Sequence, residues 1–212
     1  MQLIGMLDSP YVRRVAVSLQ LLKLPFEHRP VSVFRHFEQF RQINPVVKAP
    51  SLVCADGSVL MDSTLILDYA ESLADGGNSL MPSAPDKRLE TLRVMGLALA
   101  ACEKSVQVVY ERNLRPADKQ HAPWIDRITD QLLWAYATLE TELKRTPLEV
   151  ERHNINQAGV TAAVAWFFTQ AMLPELVRAS DFPTLQQLSN AAETLEAFAA
   201  APHGPGTYQA KG

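Results

Sequence analysis

Beyond Asp75 the sequence carries no strand pattern; its apolar residues recur only at helical spacing. Leu89, Leu92, Met95, Leu99, Cys102, Val106 and Val109 keep that spacing over about six turns. Ile125, Ile128, Leu132, Tyr136, Leu139 and Leu143 mark a second long helix, with Pro123 near its start. Val160, Ala163, Val164, Phe167, Phe168 and Ala171 mark a third, apolar on nearly every side and therefore expected at the centre of a bundle. Leu185, Leu188, Ala192, Leu195 and Phe198 mark a fourth, begun near Phe182-Pro183-Thr184. Faces of this kind are buried helix against helix, so this part of the chain is expected to be all-α.

The segment before Asp75 reads differently. Leu3 to Met6 is an apolar run short enough for a buried strand. Asp8-Ser9-Pro10 then opens a helix: Ser or Asp caps it, and Pro suits the first helical position because its missing N–H has no partner there anyway. Val12, Val15, Ala16, Leu19 and Leu22 follow at helical spacing, and Leu24-Pro25 ends the helix. Phe26 to Val33 is expected to be extended, with Pro30 confining part of it to a sheet edge. Phe37 to Ile43 reads as a short helix. Two apolar runs, Ser51 to Cys54 and Val59 to Met61, flank Ala55-Asp56-Gly57-Ser58, whose Asp-Gly signals a hairpin. Asp62-Ser63 opens another helix, with Leu65, Ile66, Tyr69, Ala70 and Leu73 on its apolar side. The order is βαβ(α)ββα, an α/β unit in which the crossover helix implies a parallel pair and the hairpin an antiparallel one. Turn-rich stretches at 76–79 and 82–85 form a linker. The expected division is an α/β domain over 1–76, a linker over 77–87, an all-helical domain over 88–202 and a loosely held tail over 203–212.

Composition narrows the function classes. The chain has 212 residues, 47% hydrophobic and 20% charged, with a formal net charge of -3. These values suit a globular protein and favour neither a nucleic-acid partner nor an anionic membrane. No apolar stretch reaches the roughly 18 residues of a membrane span, and Met1 to Leu7 lacks a basic start, so a soluble cytoplasmic protein is expected. Cys54 and Cys102 are too few for a disulfide scaffold. His28, His36, His121, His153 and His203 show no ligand spacing, and no metal site is expected.

Three places can carry chemistry. The first strand–helix junction presents unpaired N–H groups and a partial positive charge, with the Ser9 hydroxyl beside them. Such a junction lowers the pKa of a thiol held against it. On the local pattern alone, Ser9 is more simply a cap. Ala49-Pro50 precedes the third strand. A cis bond there would turn the Ala49 backbone outward to pair with an extended peptide, although trans is the ordinary expectation. Asp62-Ser63 can hold a ligand carboxylate through N–H groups and hydroxyl, and a ligand ammonium through the Asp carboxylate, while also serving as a helix cap. Lys48 can pair with a further carboxylate; by default it is a solvated lysine.

In this order, on such a unit followed by helices, the three places resemble the cytosolic glutathione S-transferase family over roughly residues 1 to 200. The resemblance is carried by Ser9-Pro10-Tyr11-Val12-Arg13-Arg14-Val15, by Asn44-Pro45-Val46-Val47-Lys48-Ala49-Pro50-Ser51-Leu52, and by Asp62-Ser63 with Ile66 and Tyr69 behind it. It implies a thioredoxin-like N-terminal domain that binds glutathione, a helical-bundle C-terminal domain, and a cis Ala49-Pro50 bond. It implies a serine-using, bacterial-type member in which Ser9 hydrogen-bonds the glutathione sulfur. By position Ala49 pairs with the cysteinyl part, Asp62 and Ser63 hold the γ-glutamyl end, and Lys48 contacts the glycine carboxylate. The implied activity is conjugation of glutathione, as co-substrate and without a metal, to small hydrophobic electrophiles, a detoxification chemistry. The second substrate is expected near Tyr11, Ser105, Val108, Tyr110 and Trp166, and a homodimer is expected. Isomerisation, dehalogenation and peroxide reduction start from the same thiolate. The competing reading is a non-catalytic, protein-binding or regulatory module on the same fold. Disulfide exchange is disfavoured because position 9 is Ser and no second Cys follows. Two departures stand out: Asn156-Gln157-Ala158-Gly159 replaces the family's Ser/Thr-x-x-Asp capping box, and Leu188 lies near the place of a frequent Trp.

Overall fold

Short apolar runs become strands where they can share a sheet, and capped periodic segments become helices. The computed structural model describes residues 1–75, 77–151 and 154–208. Gly76 at the expected domain boundary, His153, and residues 209–212 of the expected tail lie outside the described residues. The elements run β1 (Gln2–Ile4), α1 (Pro10–Leu21), β2 (Glu27–Arg29), α2 (Phe37–Ile43), β3 (Ser51–Val53), β4 (Val59–Met61), α3 (Ser63–Leu73), α4 (Pro85–Leu114), α5 (Ala122–Arg145), α6 (Gln157–Met172), α7 (Pro183–Glu193) and α8 (Glu196–Ala199). Single 3-10 turns lie at Ala117–Lys119 and Ala179–Asp181. The chain divides into Met1–Met81 with Thr194–Gly212, and Pro82–Glu193.

In the first unit the four strands take the order β2-β1-β3-β4. β1 and β2 are parallel, as a crossover through α1 requires, and β1–β3 and β3–β4 are antiparallel. Gly57, at φ +86°, makes the hairpin turn, closed by the Cys54 N–H on Ser58 O at 2.8 Å. The short strands alternate faces. Ile4 and Val53 pack with Phe40 of α2, whereas α1 and α3 pack together and against the sheet. Pro30 follows β2 directly, and β2 is an edge strand, where a missing donor costs no ladder bond.

The last helical periodicity is not one helix, and the helical domain does not run to 202. It breaks between α7 and α8, and the chain from Thr194 groups with the sheet. Two α1 side chains draw it there. The buried Arg13 donates from Nε to Ala201 O at 2.8 Å and places its guanidinium 5.7 Å from the Phe198 ring centroid. Gln20 Nε2 donates to Ala197 O at 2.9 Å.

In the second unit α6 is buried on almost every side, as its composition demands, against α4 and α7. Asn156 caps it, accepting the Gly159 N–H at 3.0 Å. A Cβ at Gly159 would lie 2.9 Å from Ile155 Cγ1, so the residue before the cap occupies the space a capping-box side chain needs. Tyr136, Trp166 and Phe182 form an aromatic cluster with centroids 5.1–6.0 Å apart. Beside it, Thr169 Oγ1 bonds both Ser105 Oγ and the Tyr136 hydroxyl at 2.7 Å, so these buried hydroxyls satisfy one another.

A carboxylate from α5 caps α7. Glu140 is buried; its Oε1 accepts the Thr184 N–H and its Oε2 the Leu185 N–H, each at 2.9 Å, with Lys144 Nζ 3.2 Å away. Burial disfavours the charge, but the two N–H groups, the Thr184 side chain and Lys144 outweigh it and hold the carboxyl below its ordinary range. Its stabilising contribution is therefore complete above the unfolded carboxyl pKa and is lost as pH falls through the folded value. Glu140→Ala should cost about 2–3 kcal/mol in urea unfolding at pH 7, with the difference from wild type shrinking in acid. An unchanged midpoint would contradict the capping role.

Candidate functional site

The segments carrying the candidate residues meet at the end of β1. Gly5 has φ +138°, a conformation that side chains rarely adopt. A Cβ there would lie 2.6 Å from Val12 Cγ2 in α1 and 3.2 Å from Ala49 Cβ, so glycine lets both approach the strand end. The chain then turns through Met6, whose carbonyl accepts the Ser9 N–H at 3.1 Å.

Ser9 is the N-cap of α1, with Pro10 at the first helical position. Its Oγ accepts from the Val12 N–H at 3.5 Å, and the residue is half-buried. The hydroxyl therefore faces the positive end of a helix. Ala49-Pro50 is cis, the form implied by the resemblance. The loop before it is stapled from within: Asn44 Nδ2 donates to Ser51 Oγ at 2.8 Å, Ser51 Oγ donates to Lys48 O at 2.7 Å, and Asn44 Oδ1 accepts the Val46 N–H at 3.0 Å.

Asp62 caps α3, its Oδ1 accepting the Thr64 N–H at 2.9 Å, while Lys48 Nζ lies 3.8 Å from its Oδ2. Both partners are about half exposed, so the pair is weak and easily exchanged. Ser63 is buried. Arg14, also buried, donates from Nη1 to Ser63 Oγ at 3.1 Å and to Thr64 Oγ1 at 3.2 Å. The Ser63 hydroxyl thus accepts from Arg14, and its O–H is a donor that this bond does not use. A guanidinium behind a helix N-terminus makes this a place for an anion.

Lys48, Ala49, Pro50, Asp62 and Ser63 thus come together in one unit with Ser9. The residues offered for a second substrate do not share one role. Ser105 and Trp166 are buried within the helical unit, Ser105 bonded to Thr169 and Trp166 donating from Nε1 to Gln186 Oε1 at 3.1 Å. They belong to its core, because helical spacing cannot tell an inward face from a pocket wall. Val108 is buried as well; Tyr110 is exposed and Tyr11 half-buried. Sequence reasoning gave no role to Gly5, Arg14, Asn44 or Ser51. Arg14 offered one signal, a charge among apolar residues on the inner face of a helix, but its partners lie 49 and 50 residues away. Among the described residues no cluster of three or more His, Cys, Asp or Glu could hold a metal. No helix among them is long and apolar enough to cross a membrane.

Comparison with known proteins supports the same reading. Residues 3–78 match the glutathione S-transferase N-terminal domain family. The uncharacterized GST-like protein YibF of Escherichia coli is 26% identical over 174 residues, 82% of this chain and 85% of that protein. A glutathione S-transferase of Methylobacterium radiotolerans, in complex with glutathione sulfonate, superposes with a TM-score of 0.85 at 26% identity, covering 94% of this chain and 93% of that one. A glutathione transferase family member from Pseudomonas fluorescens with bound glutathione gives 0.79 at 29% identity, covering 94% and 97%. Residues 3–78 thus match the glutathione S-transferase N-terminal domain, and the chain is similar in fold to glutathione transferases that are 26% and 29% identical to it.

Proposed function

We propose that this chain is a serine-type glutathione transferase that activates glutathione as its thiolate for attack on small hydrophobic electrophiles. One observation carries the reading: the Ser9 hydroxyl stands at the N-terminus of α1, its oxygen toward the Val12 N–H and its own hydrogen available to a sulfur. A free thiol with a pKa near 8.5 is only a few per cent ionised at pH 7. Making it mostly thiolate takes a drop of about two units, or about 2.7 kcal/mol. A helix terminus at about 0.3–1 kcal/mol and one charge-assisted hydrogen bond at about 1.5–3 kcal/mol supply that.

The rest of the site suits the rest of glutathione. The cysteinyl backbone pairs beside the cis bond at Ala49-Pro50. The γ-glutamyl carboxylate takes the N-terminus of α3 and the Ser63 hydroxyl that Arg14 orients. The γ-glutamyl ammonium replaces Lys48 at Asp62, which frees Lys48 for the glycine carboxylate. The ligand supplies the nucleophile, so the protein needs none. The electrophile, and any choice of isomerisation or dehalogenation over conjugation, depends on the second-substrate side.

A homodimer belongs to the proposal. Leu65, Tyr69 and Leu73 repeat every fourth residue along α3 and are 63%, 37% and 44% exposed, with Val59 and Met61 of edge strand β4 also open. A stripe of that kind calls for a partner surface, and a second copy of the chain is that partner. Light scattering should give a dimer, and Leu65→Arg a monomer; a monomeric wild type would overturn this part.

Calorimetry with glutathione, with thiolate absorbance followed against pH, tests the central claim. Wild type should bind glutathione and lower its thiol pKa by about one to two units; Ser9→Ala should keep binding but lose most of the shift. Ser63→Ala should weaken binding about tenfold while leaving the thiol pKa in place, since it removes one hydrogen bond to a charged group. No binding at millimolar glutathione would overturn the mechanism and favour a partner-binding role.

A further inference from the structure

The chain returns from the helical unit to the sheet and reaches His28 on β2. His28 is buried, and both its ring nitrogens have backbone partners. Nε2 lies 2.7 Å from Gly5 O, and Nδ1 lies 3.0 Å from the Tyr208 amide nitrogen. A carbonyl can only accept and an amide N–H can only donate, so the ring must be neutral, with its hydrogen on Nε2. Beside it the Tyr208 ring stacks on Phe26 at 4.5 Å between centroids and 17° between planes.

We propose that the segment from Pro202 to Tyr208 is a latch on the sheet unit, closed by the Phe26–Tyr208 stack and the Tyr208–His28 hydrogen bond, and opened when His28 takes up a proton. Protonation places a hydrogen on Nδ1, facing the Tyr208 N–H donor to donor, and that bond is lost. The Nε2–H keeps its bond to Gly5 O in either state, so the switch acts on the segment and spares the strand end beneath Ser9. The surrounding charges do not substitute for the proton. Glu27 and Arg29 alternate to the other face of β2, where both bond Gln2. Arg13 on α1 is engaged with Ala201 O. The segment's own titratable groups are His203 and Tyr208.

Burial pushes the His28 imidazole below its ordinary 6.5, and the Gly5 carbonyl offsets this only in part. The latched state therefore favours the neutral ring. Latching is complete above pH 6.5. As pH falls from there to the latched pKa it weakens by up to about tenfold per unit, and then levels off.

Hydrogen exchange of the intact chain, corrected for intrinsic rates and read on peptides covering 203–208, should show protection at about pH 7.5 that is lost by about pH 5, with α1 and α4 protected throughout. His28→Gln, which offers an amide donor and acceptor but does not titrate, should keep the protection at both pH values. Histidine nitrogen NMR on wild type should show the hydrogen on Nε2 at neutral pH, and Tyr208→Ala should raise the His28 pKa toward 6.5. Unchanged protection across that pH range, an equal loss in a folded His28→Gln, or the hydrogen on Nδ1 at neutral pH would each overturn the latch.

Discussion

The site hangs on the contact at Gly5. β1 can end there, bend toward Ser9 and still receive Val12 and Ala49 because no side chain stands in the way. Any larger residue would have to push α1 or the Ala49-Pro50 loop outward, in an interior packed as densely as an organic crystal. The His28 Nε2–H holds the Gly5 carbonyl, and the Arg29 carbonyl accepts the Gly5 N–H at 3.1 Å. The peptide groups on both sides of the glycine are therefore fixed. Ser9 inherits its position from this point through a few residues of turn.

Helix termini recur as the working parts of both units, and the same physics serves stability and binding. Orphan N–H groups need acceptors. At α6 the acceptor is Asn156, and at α7 it is Glu140 from another helix. These two termini are closed. At α1 and α3 the caps are Ser9 and Asp62, residues that also carry a hydroxyl or a carboxylate oxygen suited to a ligand. The two kinds of terminus look alike in sequence. What separates them is the surroundings: Glu140 is buried among its partners, whereas Asp62 is half open and shares its second oxygen with a half-exposed lysine.

This explains what was legible in the sequence and what was not. Periodicity located the long helices, Asp-Gly placed the hairpin, and the crossover helix gave the parallel pair, because each is a local pattern with one structural solution. The candidate site was legible only as three weak signals in a given order. Their shared location depends on Gly5, Arg14, Asn44 and Ser51, whose roles are set by contacts between separate segments. The break before the last helix is not legible in the sequence for a similar reason. Leu195 and Phe198 continue the spacing of Leu185 and Leu188, but Arg13 and Gln20, more than 170 residues earlier, bind the carbonyls that follow the break. Ser105 and Trp166 show the converse: their residue types suit a pocket wall, and in the helical unit they sit in a hydroxyl network and an aromatic cluster.

Backbone strain separates the site from the rest of the unit. Lys23, Val47 and Asp62 are the non-glycine residues at positive φ among those described, at 58°, 53° and 76°. Lys23 has an ordinary reason: it follows α1 in a left-handed helix stop, with its N–H on Gln20 O and the Leu24 N–H on Leu19 O, bonds that recover the last carbonyls of the helix. Val47 and Asp62 end no helix. Val47 is β-branched, and such a conformation costs on the order of 1–3 kcal/mol. Each is held by its surroundings, Val47 by the Asn44 carbonyl at 2.9 Å and by packing against the Ile4, Val31 and Phe40 cluster, Asp62 by the Thr64 N–H. The two frame the segments that carry Lys48, Ala49 and Ser63. Strain kept in place by the rest of a unit, on both sides of one group of donors, is the arrangement expected of a surface built for a ligand in advance. It also accounts for Asn44 and Ser51, whose hydrogen bonds hold the loop around Val47 in its strained conformation.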